Sequence, residues 1–472
     1  MSTYNISPAL NKNKVFLINL GELLGRLDPA YNIAIRNSDL RTKYPTEQIG
    51  KLVKSFSGGT PSKANAEYWE GNILWASPKD FKNFYLTDTE DRISESALSD
   101  SSTTLAPADS LLIVVRSGVL IHTIPVAVTK LPMAINQDLK ALIPDDRILP
   151  EYLGIYFKIY NDKLLPLIVK HSTTVQSINT EQFEKLKIPI PPKNIQQQII
   201  AIYGKALQIN KQNEAETEKL LASIDDYLLK ELGINLPEPP ANTLENRMFT
   251  VQISDVSGGR LDPFFHQTYF NALIKALNNS KFSKSILGNA IANISYGASL
   301  NNLYVDDGVP ILRIKDLKRN SISIDQVVYL PESTRPQIGN CFVKENDFLI
   351  SRSGTIGVVA LVPKEIDGFA FGSFMIKFSL KESAIINKKY LSFFLNSKLI
   401  STLIERNKIG AIQGNITIPT IKAIPLVLPP IEKQQEITDH ITGIRQQAQQ
   451  LKEKTKEALS KASQEIEKIL LA

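Results

Sequence analysis

Two stretches of the chain carry helical periodicity without a break. From Pro191 to Leu232 apolar residues fall at Ile195, Ile199, Ile202, Ala206 and Ile209, lapse at Asn213 and Glu216, and return at Leu220, Ile224 and Tyr227. After Pro429-Pro430, apolar or small residues recur at Ile437, Ile441, Ile444, Ala448, Leu451, Thr455, Ala458, Ala462 and Ile469. Steps of four and three are the seam of a coiled coil, so the pattern predicts two long helices that pack on each other. Each would span very roughly 55 Å, the length of a strut that holds two bodies apart. The plainer alternative is two unrelated amphipathic helices on separate domains.

Elsewhere the period shortens. The runs NILWAS, SLLIVVR, IPVAVT, VPILRI, DFLISR and GVVALV are short, apolar or β-branched, and bounded by Pro, Gly, Asp or Asn, which predicts strands. Helical patterns follow at Glu151 to Val169 and at Lys389 to Arg406. Each is succeeded by a polar loop, HSTTVQSIN or NKIGAIQGN, and by a Pro-marked strand leading into a long helix.

The order of these elements repeats. GRLDPAY from Gly25 answers GRLDPFF from Gly259, a separation of 234. Lys79-Asp80 answers Lys315-Asp316, and VRSGVL from Val115 answers SRSGTI from Ser351, both at 236. KIPIPPKNIQQQI aligns with IPLVLPPIEKQQEI at 238. So small a drift identifies two copies of one unit, each a mixed α/β domain ending in its long helix. The Pro-rich stretch Gly233 to Thr243 has the composition of a boundary between copies. In each GRLDP the Pro disfavours helix at the preceding Asp, so both read as structural hinges just before a domain.

With 472 residues and 43% hydrophobic content, the chain is expected to fold into two or three domains. No run approaches the roughly 18 apolar residues of a membrane helix, and MSTYNISPALNKNK lacks the order of a signal peptide, which places the chain in the cytoplasm. A lone Cys341 and four scattered histidines offer neither a disulfide framework nor a metal site. A net charge of +6 permits nucleic acid as a partner without demanding it.

Catalytic motifs are missing: there is no GxxxxGK[ST], no GxGxxG opening a helix, no PP[YF] turn and no Ser-His-Asp or His-Cys spacing. Asp145, Asp146 and Glu151 lack the following Lys of a nuclease site. What remains is a set of duplicated polar turns at strand ends, where small residues admit a close ligand and Arg or Lys supplies charge. Such turns suit DNA. Arg116 and Arg352 lie in identical Arg-Ser-Gly turns, and a guanidinium can read guanine O6 and N7 or grip a phosphate. The alternative is a hairpin with a solvated Arg. Lys79 and Lys315 are as readily explained by ion pairs to the following Asp80 and Asp316, Gly58, Gly59 and Gly297 by turn geometry, and Trp75 by burial in the core.

These residues together resemble the DNA specificity subunit of type I restriction-modification systems. The resemblance rests on GGTPSKANAEYWEGNILWASPKDF, DFLISRSGTIGVVALVP, the doubled RLDP and the doubled IPxPPxxxQQ(I/E)I, and it covers nearly the whole chain. It implies two pseudo-repeated α/β target-recognition domains separated by an antiparallel pair of long coiled-coil helices. Residues 1–192 would form the first domain with its lead-in segment, 193–232 the central helix, 233–243 the linker, 244–430 the second domain and 431–472 the C-terminal helix. Each domain would read one half of a bipartite DNA site, with the helices setting the spacer. The chain itself would be non-catalytic, with no cofactor or metal of its own. S-adenosylmethionine and ATP would sit on its partners, two modification (methyltransferase) subunits and the restriction (ATP-dependent) subunits. DNA-binding candidates in the first copy are Gly59, Thr60, Lys79, Arg116, Ser117, Thr173, Thr174 and Gln176. Those in the second are Ser299, Arg313, Lys315, Arg352, Ser353, Thr355, Gln413 and Asn415. Because VRSGVL departs from SRSGTIG, and HSTTVQSIN from NKIGAIQGN, the halves are expected to read different bases. Two other readings stay open: the recognition subunit of a two-subunit enzyme that cuts on both sides of its site, and a coiled-coil scaffold that binds no DNA.

Overall fold

The computed structural model describes residue 17 and residues 31–32, 42–170, 175–241, 243–256, 260–300, 303–408 and 414–471. Two compact units emerge, one of residues 1–213 with 453–472 and the other of residues 214–452. The division falls inside both long helices, which run Lys193–Leu232 and Ile431–Leu470.

In the first unit, the strand Leu111–Val114 lies at the centre of a five-stranded sheet. Its neighbours Leu139–Pro144 and Val126–Thr129 pair with it antiparallel, Leu112 facing Ala141 on one side and Ala127 on the other. All four of its residues are buried because both faces of the sheet are covered. Leu111 and Ile113 point to a core shared with the helix Pro150–Ile159, with Ile199 and Tyr203 of the central helix, and with Ile466 and Leu470 of the C-terminal helix. Leu112 and Val114 alternate to the opposite face and meet Leu74, Ala76, Met133 and Ile135 of a second, four-stranded sheet. Trp75 belongs to that sheet, is buried, and donates its indole N–H to the Gly59 carbonyl at 3.2 Å.

The second unit repeats this layering. Phe348–Ser351 pairs antiparallel with Met375–Leu380 and with Val359–Leu361. Phe348 and Ile350 face Tyr390, Phe394, Leu228, Leu232, Ile437 and Ile441, while Leu349 faces Leu312 and Phe371 of another sheet. Each helical region after the strands is broken once rather than continuous. Asn396 closes the helix Lys388–Leu395, its side chain spent on Val359 N and O, Asn320 and the Ser392 carbonyl, and Ser397 caps the next helix, Lys398–Arg406. The Pro-marked strands before the long helices are Lys187–Pro189 and Pro425–Leu428, and each pairs antiparallel with a short lead-in strand, Thr46–Gln48 and Ser283–Ile286, which clasps the lead-in to the helix approach.

The seam of the central helix differs from the predicted one. Its buried line starts at Gln196, Ile199, Tyr203 and Ala206 and ends at Leu228 and Leu232, while Ile209 is 41% exposed. Nor does the seam lapse at Asn213. It turns polar: Asn213 Nδ2 donates to Thr455 Oγ1 of the C-terminal helix at 3.1 Å, and Thr217, not Glu216, continues the buried line. Hydropathy picked the isoleucines, whereas the heptad spacing through Gln196, Asn213 and Thr217 decides the face. On the C-terminal helix Ile466 and Leu470 are fully buried and Ile469 lies beside them, half-buried. In the second unit Lys433 pairs with Glu231 at 2.6 Å, and Tyr227 stacks on His440, so the start of one helix meets the end of the other there.

The second GRLDP does form a bend. Asp262 accepts from Phe264 N and pairs with Arg260, whose guanidinium lies over the Phe265 ring and donates to the Lys408 carbonyl. The first, apart from the adjoining Tyr31, lies outside the described residues. Among the described residues no helix is long and apolar enough to cross a membrane, and no cluster of His, Cys, Asp or Glu could hold a metal ion.

Candidate nucleic-acid interface

The predicted polar turns come together within each unit. In the first, the chain leaving Leu111–Val114 donates Val115 N–H to the Asp138 carbonyl at 2.8 Å and accepts from Ile178 N–H at 2.8 Å. Ser117 N–H bonds the Gln176 carbonyl at 3.1 Å, and Ser117 Oγ caps the short turn Gly118–Ile121. Thr60 Oγ1 bonds Gln137 Oε1 next to Asp138. Thus Thr60, Arg116, Ser117 and Gln176 share one end of the sheet. Thr173 and Thr174 lie outside the described residues.

In the second unit, Arg352 N–H donates to the Phe374 carbonyl at 2.9 Å and Arg352 O accepts from Ile416 N–H at 3.0 Å, while Ser353 bridges to Asn415. The Gly-rich turn joins through Ser373 N–H to the Ala298 carbonyl and Ile418 N–H to Tyr296 Oη. Gly297 sits against the Gly372 carbonyl so closely that any side chain would collide with it. Gly354, at φ +76°, lets the Arg-Ser-Gly turn reverse with Thr355 exposed. Ser299 is exposed nearby in sequence, and Gln413 lies outside the described residues.

The two Arg-Ser-Gly motifs are identical in sequence but occupy different places. By strand pairing, Val114 opposes Leu139 and Ser351 opposes Met375, so Ser351 corresponds to Val114, Arg352 to Val115 and Ser353 to Arg116. The bridges agree, Arg116 pairing with Ser177 and Ser353 with Asn415. A one-residue slip reverses the facing of every side chain in an extended segment. Arg116 is accordingly exposed and makes no ion pair among the described residues, whereas Arg352 is half-buried and Ser353 buried. The Arg352 guanidinium lies 4.7 Å from the Tyr296 ring centroid, and its buried Nε has no hydrogen-bond partner among the described residues. Tyr296, 39% exposed, was not singled out from sequence; its place beside Gly297 was the available signal. Phe374 is exposed beside the same turn.

Other candidates are held by internal bonds. Gly59 is buried, and its carbonyl accepts from Trp75 and from Thr103 Oγ1. Lys79 pairs with Asp91 at 2.9 Å and Glu90 at 3.3 Å, not with Asp80, and the Asp91 carboxylate pushes its ammonium pKa up. Asp80 instead closes a capping box with Ser77. Asp316 likewise takes Arg313, through Nε and a terminal nitrogen at 3.0 Å each, leaving Lys315 exposed with no ion pair among the described residues. The geometry explains both corrections: on a tight turn an Asp reaches back three residues to the capping position more easily than to its neighbour.

The family profile "Type I restriction modification DNA specificity domain" matches residues 43–222 and 268–461. The chain is 41% identical over 158 residues to the type I restriction enzyme EcoR124I/EcoR124II specificity subunit of Escherichia coli, a match covering 33% of this chain and 39% of that protein. It is 25% identical over 336 residues to the putative type I restriction enzyme MjaX specificity subunit of Methanocaldococcus jannaschii, covering 69% and 68%. Of the first relatives it matches, the chain thus spans less than half the length. Superposed on the type I restriction-modification S subunit of M. genitalium it gives a TM-score of 0.42 at 14% identity over 91% of this chain and 97% of that one.

Proposed function

Because this chain belongs to the type I restriction modification DNA specificity family, we propose that it is the sequence-reading subunit of a type I restriction-modification complex, each unit contacting one half of a bipartite duplex site. The observation that carries this reading is the gathering of the Gly-rich turn, the Arg-Ser-Gly turn and the polar loop at one end of the sheet in each unit. In the second, an arginine whose buried Nε has no hydrogen-bond partner among the described residues is stacked on an exposed tyrosine there. A guanidinium held by a ring has already lost much of its freedom, so little more is lost when it engages a guanine. In the first unit Arg116, exposed and with no ring contact among the described residues, suits a phosphate.

On this reading the chain works in the cytoplasm and carries no catalytic site of its own. Methyl transfer and ATP-driven restriction belong to two modification subunits and the restriction subunits, which hold S-adenosylmethionine and ATP. The pair of 40-residue helices sets the spacer between half-sites.

Selection of duplexes from a random-sequence library tests the proposal. Two constant half-sites separated by a fixed spacer are expected, with affinity falling steeply as salt rises. Failure to bind duplex DNA at low salt would favour a scaffold. Copurification with a single cutting-and-modifying partner would favour the two-subunit enzyme, and methyl transfer or ATP hydrolysis by the purified chain alone would defeat a non-catalytic role.

A further inference from the structure

The doubled Gln-Gln of the helix openings has a role that the DNA-contacting turns do not account for. Gln196, in the first turn of the central helix, is fully buried. Its Oε1 accepts Leu149 N–H at 2.8 Å, and its Nε2 donates to the carbonyls of Arg147 at 2.8 Å and Pro191 at 2.9 Å. Gln434, in the first turn of the C-terminal helix, is 1% exposed and does the same: Oε1 accepts Asn387 N–H at 2.8 Å, and Nε2 donates to Ile385 O at 3.4 Å and Pro429 O at 2.8 Å. Every partner in the second set lies 238 residues after its counterpart. In each unit three main-chain groups, two of them on the loop that opens the domain's helical half, converge on one amide.

We propose that Gln196 and Gln434 are positioning residues for DNA reading: each fixes the angle at which its α/β domain leaves its helix, and so where that domain's contact turns fall along the duplex. The inference rests on the DNA-reading function above. An amide offers one acceptor and two donors, and here one acceptor and both donors are used with no water-accessible alternative, so the junction has a single low-energy arrangement. Only main chain is gripped. The clamp therefore works alike on Arg147 and Leu149 and on Ile385 and Asn387, whose side chains differ at both gripped positions. A pivot there would leave the contact turns intact and shift only their position.

The test uses the full chain and a random-sequence duplex library, comparing the native protein with Gln196→Leu and Gln434→Leu, whose volumes are similar. The native chain is expected to select one spacer length. Each variant is expected to return both half-site sequences unchanged while its preference for that spacer over lengths one base pair shorter or longer falls about tenfold, the loss of one or two buried hydrogen bonds. A variant that melts earlier yet keeps the single spacer would overturn the proposal, because a merely structural role predicts that outcome. Gln196→Glu serves if the leucine variants do not fold. Burial and two facing carbonyls raise a carboxyl pKa there, so acid restores a donor. The spacer should be broad at about pH 8 and narrow at about pH 5.5. One spacer at both pH values would again overturn it. If the native chain selects no sequence at all, the DNA-reading proposal itself fails, a result distinct from either.

Discussion

Replacing Arg352 and its aromatic platform separately distinguishes a base reader from a phosphate grip. A bidentate guanine contact discriminates by about 1–3 kcal/mol, so Arg352→Ala should cost about 5- to 150-fold at one base pair of the second half-site. Tyr296→Leu keeps the arginine and a similar apolar volume but removes the ring quadrupole 4.7 Å from the guanidinium. At a ring 39% exposed, that interaction is worth about 0.5–1 kcal/mol, a loss of about 2- to 5-fold in discrimination at the same base pair. Tyr296→Phe keeps the ring and loses only a hydroxyl bonded at 3.4 Å, so it should stay near native. Since the tyrosine acts through the arginine, the double variant should bind no worse than Arg352→Ala alone. Anisotropy titrations at fixed salt, with duplexes carrying each base pair at every position of the half-site, give all four numbers. Equal weakening for every sequence, together with a salt slope reduced by about one, would make Arg352 a phosphate contact and refute the reasoning.

Three further outcomes follow from the packing. Asn213→Leu alone should destabilise by about 1 kcal/mol by leaving Thr455 without this partner, whereas Asn213→Leu with Thr455→Leu should be neutral or raise the melting temperature; two neutral single variants would show that the polar layer is not a pair. Tyr152→Phe and Tyr390→Phe should each cost about 1 kcal/mol in urea unfolding, because the carbonyls of Pro189 and Val427 lose buried donors at 2.9 and 2.7 Å; no change would mean that these bonds are replaced on mutation. Deleting one matched heptad from each long helix removes about 10.5 Å of helix and should shorten the selected spacer by about one to three base pairs with unchanged half-sites; an unchanged spacer would show that the helices do not set it.

Much of the fold was legible because its signals are local. Leu111 to Val114 and Phe348 to Ile350 are apolar on both sides, as a doubly covered strand is, and the duplication placed the rest. What stayed hidden depends on tertiary bonds. Gln196 and Thr217 are polar and yet buried, so a search for apolar residues found Ile199 and Ala206, passed over these two and took in Ile209, which is exposed. Lys79 and Asp80 are adjacent in sequence, but Asp80 turns back to Ser77 while Lys79 finds Asp91 across a strand pair. Of the site, the gathering of three polar stretches was foreseeable from their repetition. The ring beneath Arg352 was not, since nothing near residue 352 announces residue 296.

The duplication also separates framework from contact surface on physical grounds. Tyr152 to Pro189 and Tyr390 to Val427, and the two glutamine clamps, recur at 238 residues. They use buried groups whose loss leaves a main-chain partner unsatisfied, so neither copy can drift at these points without a cost of about 1–3 kcal/mol. At the turns that constraint is absent. Arg116 and Arg352 keep the same three-letter motif while the chain slips one residue against its neighbours, and the main-chain bonds survive the slip because any residue can supply them. The side chains do not survive it in place: one arginine turns outward and the other is laid over a ring. A shared framework can thus carry two unlike reading surfaces, and identity of motif between the copies is no guide to identity of contact.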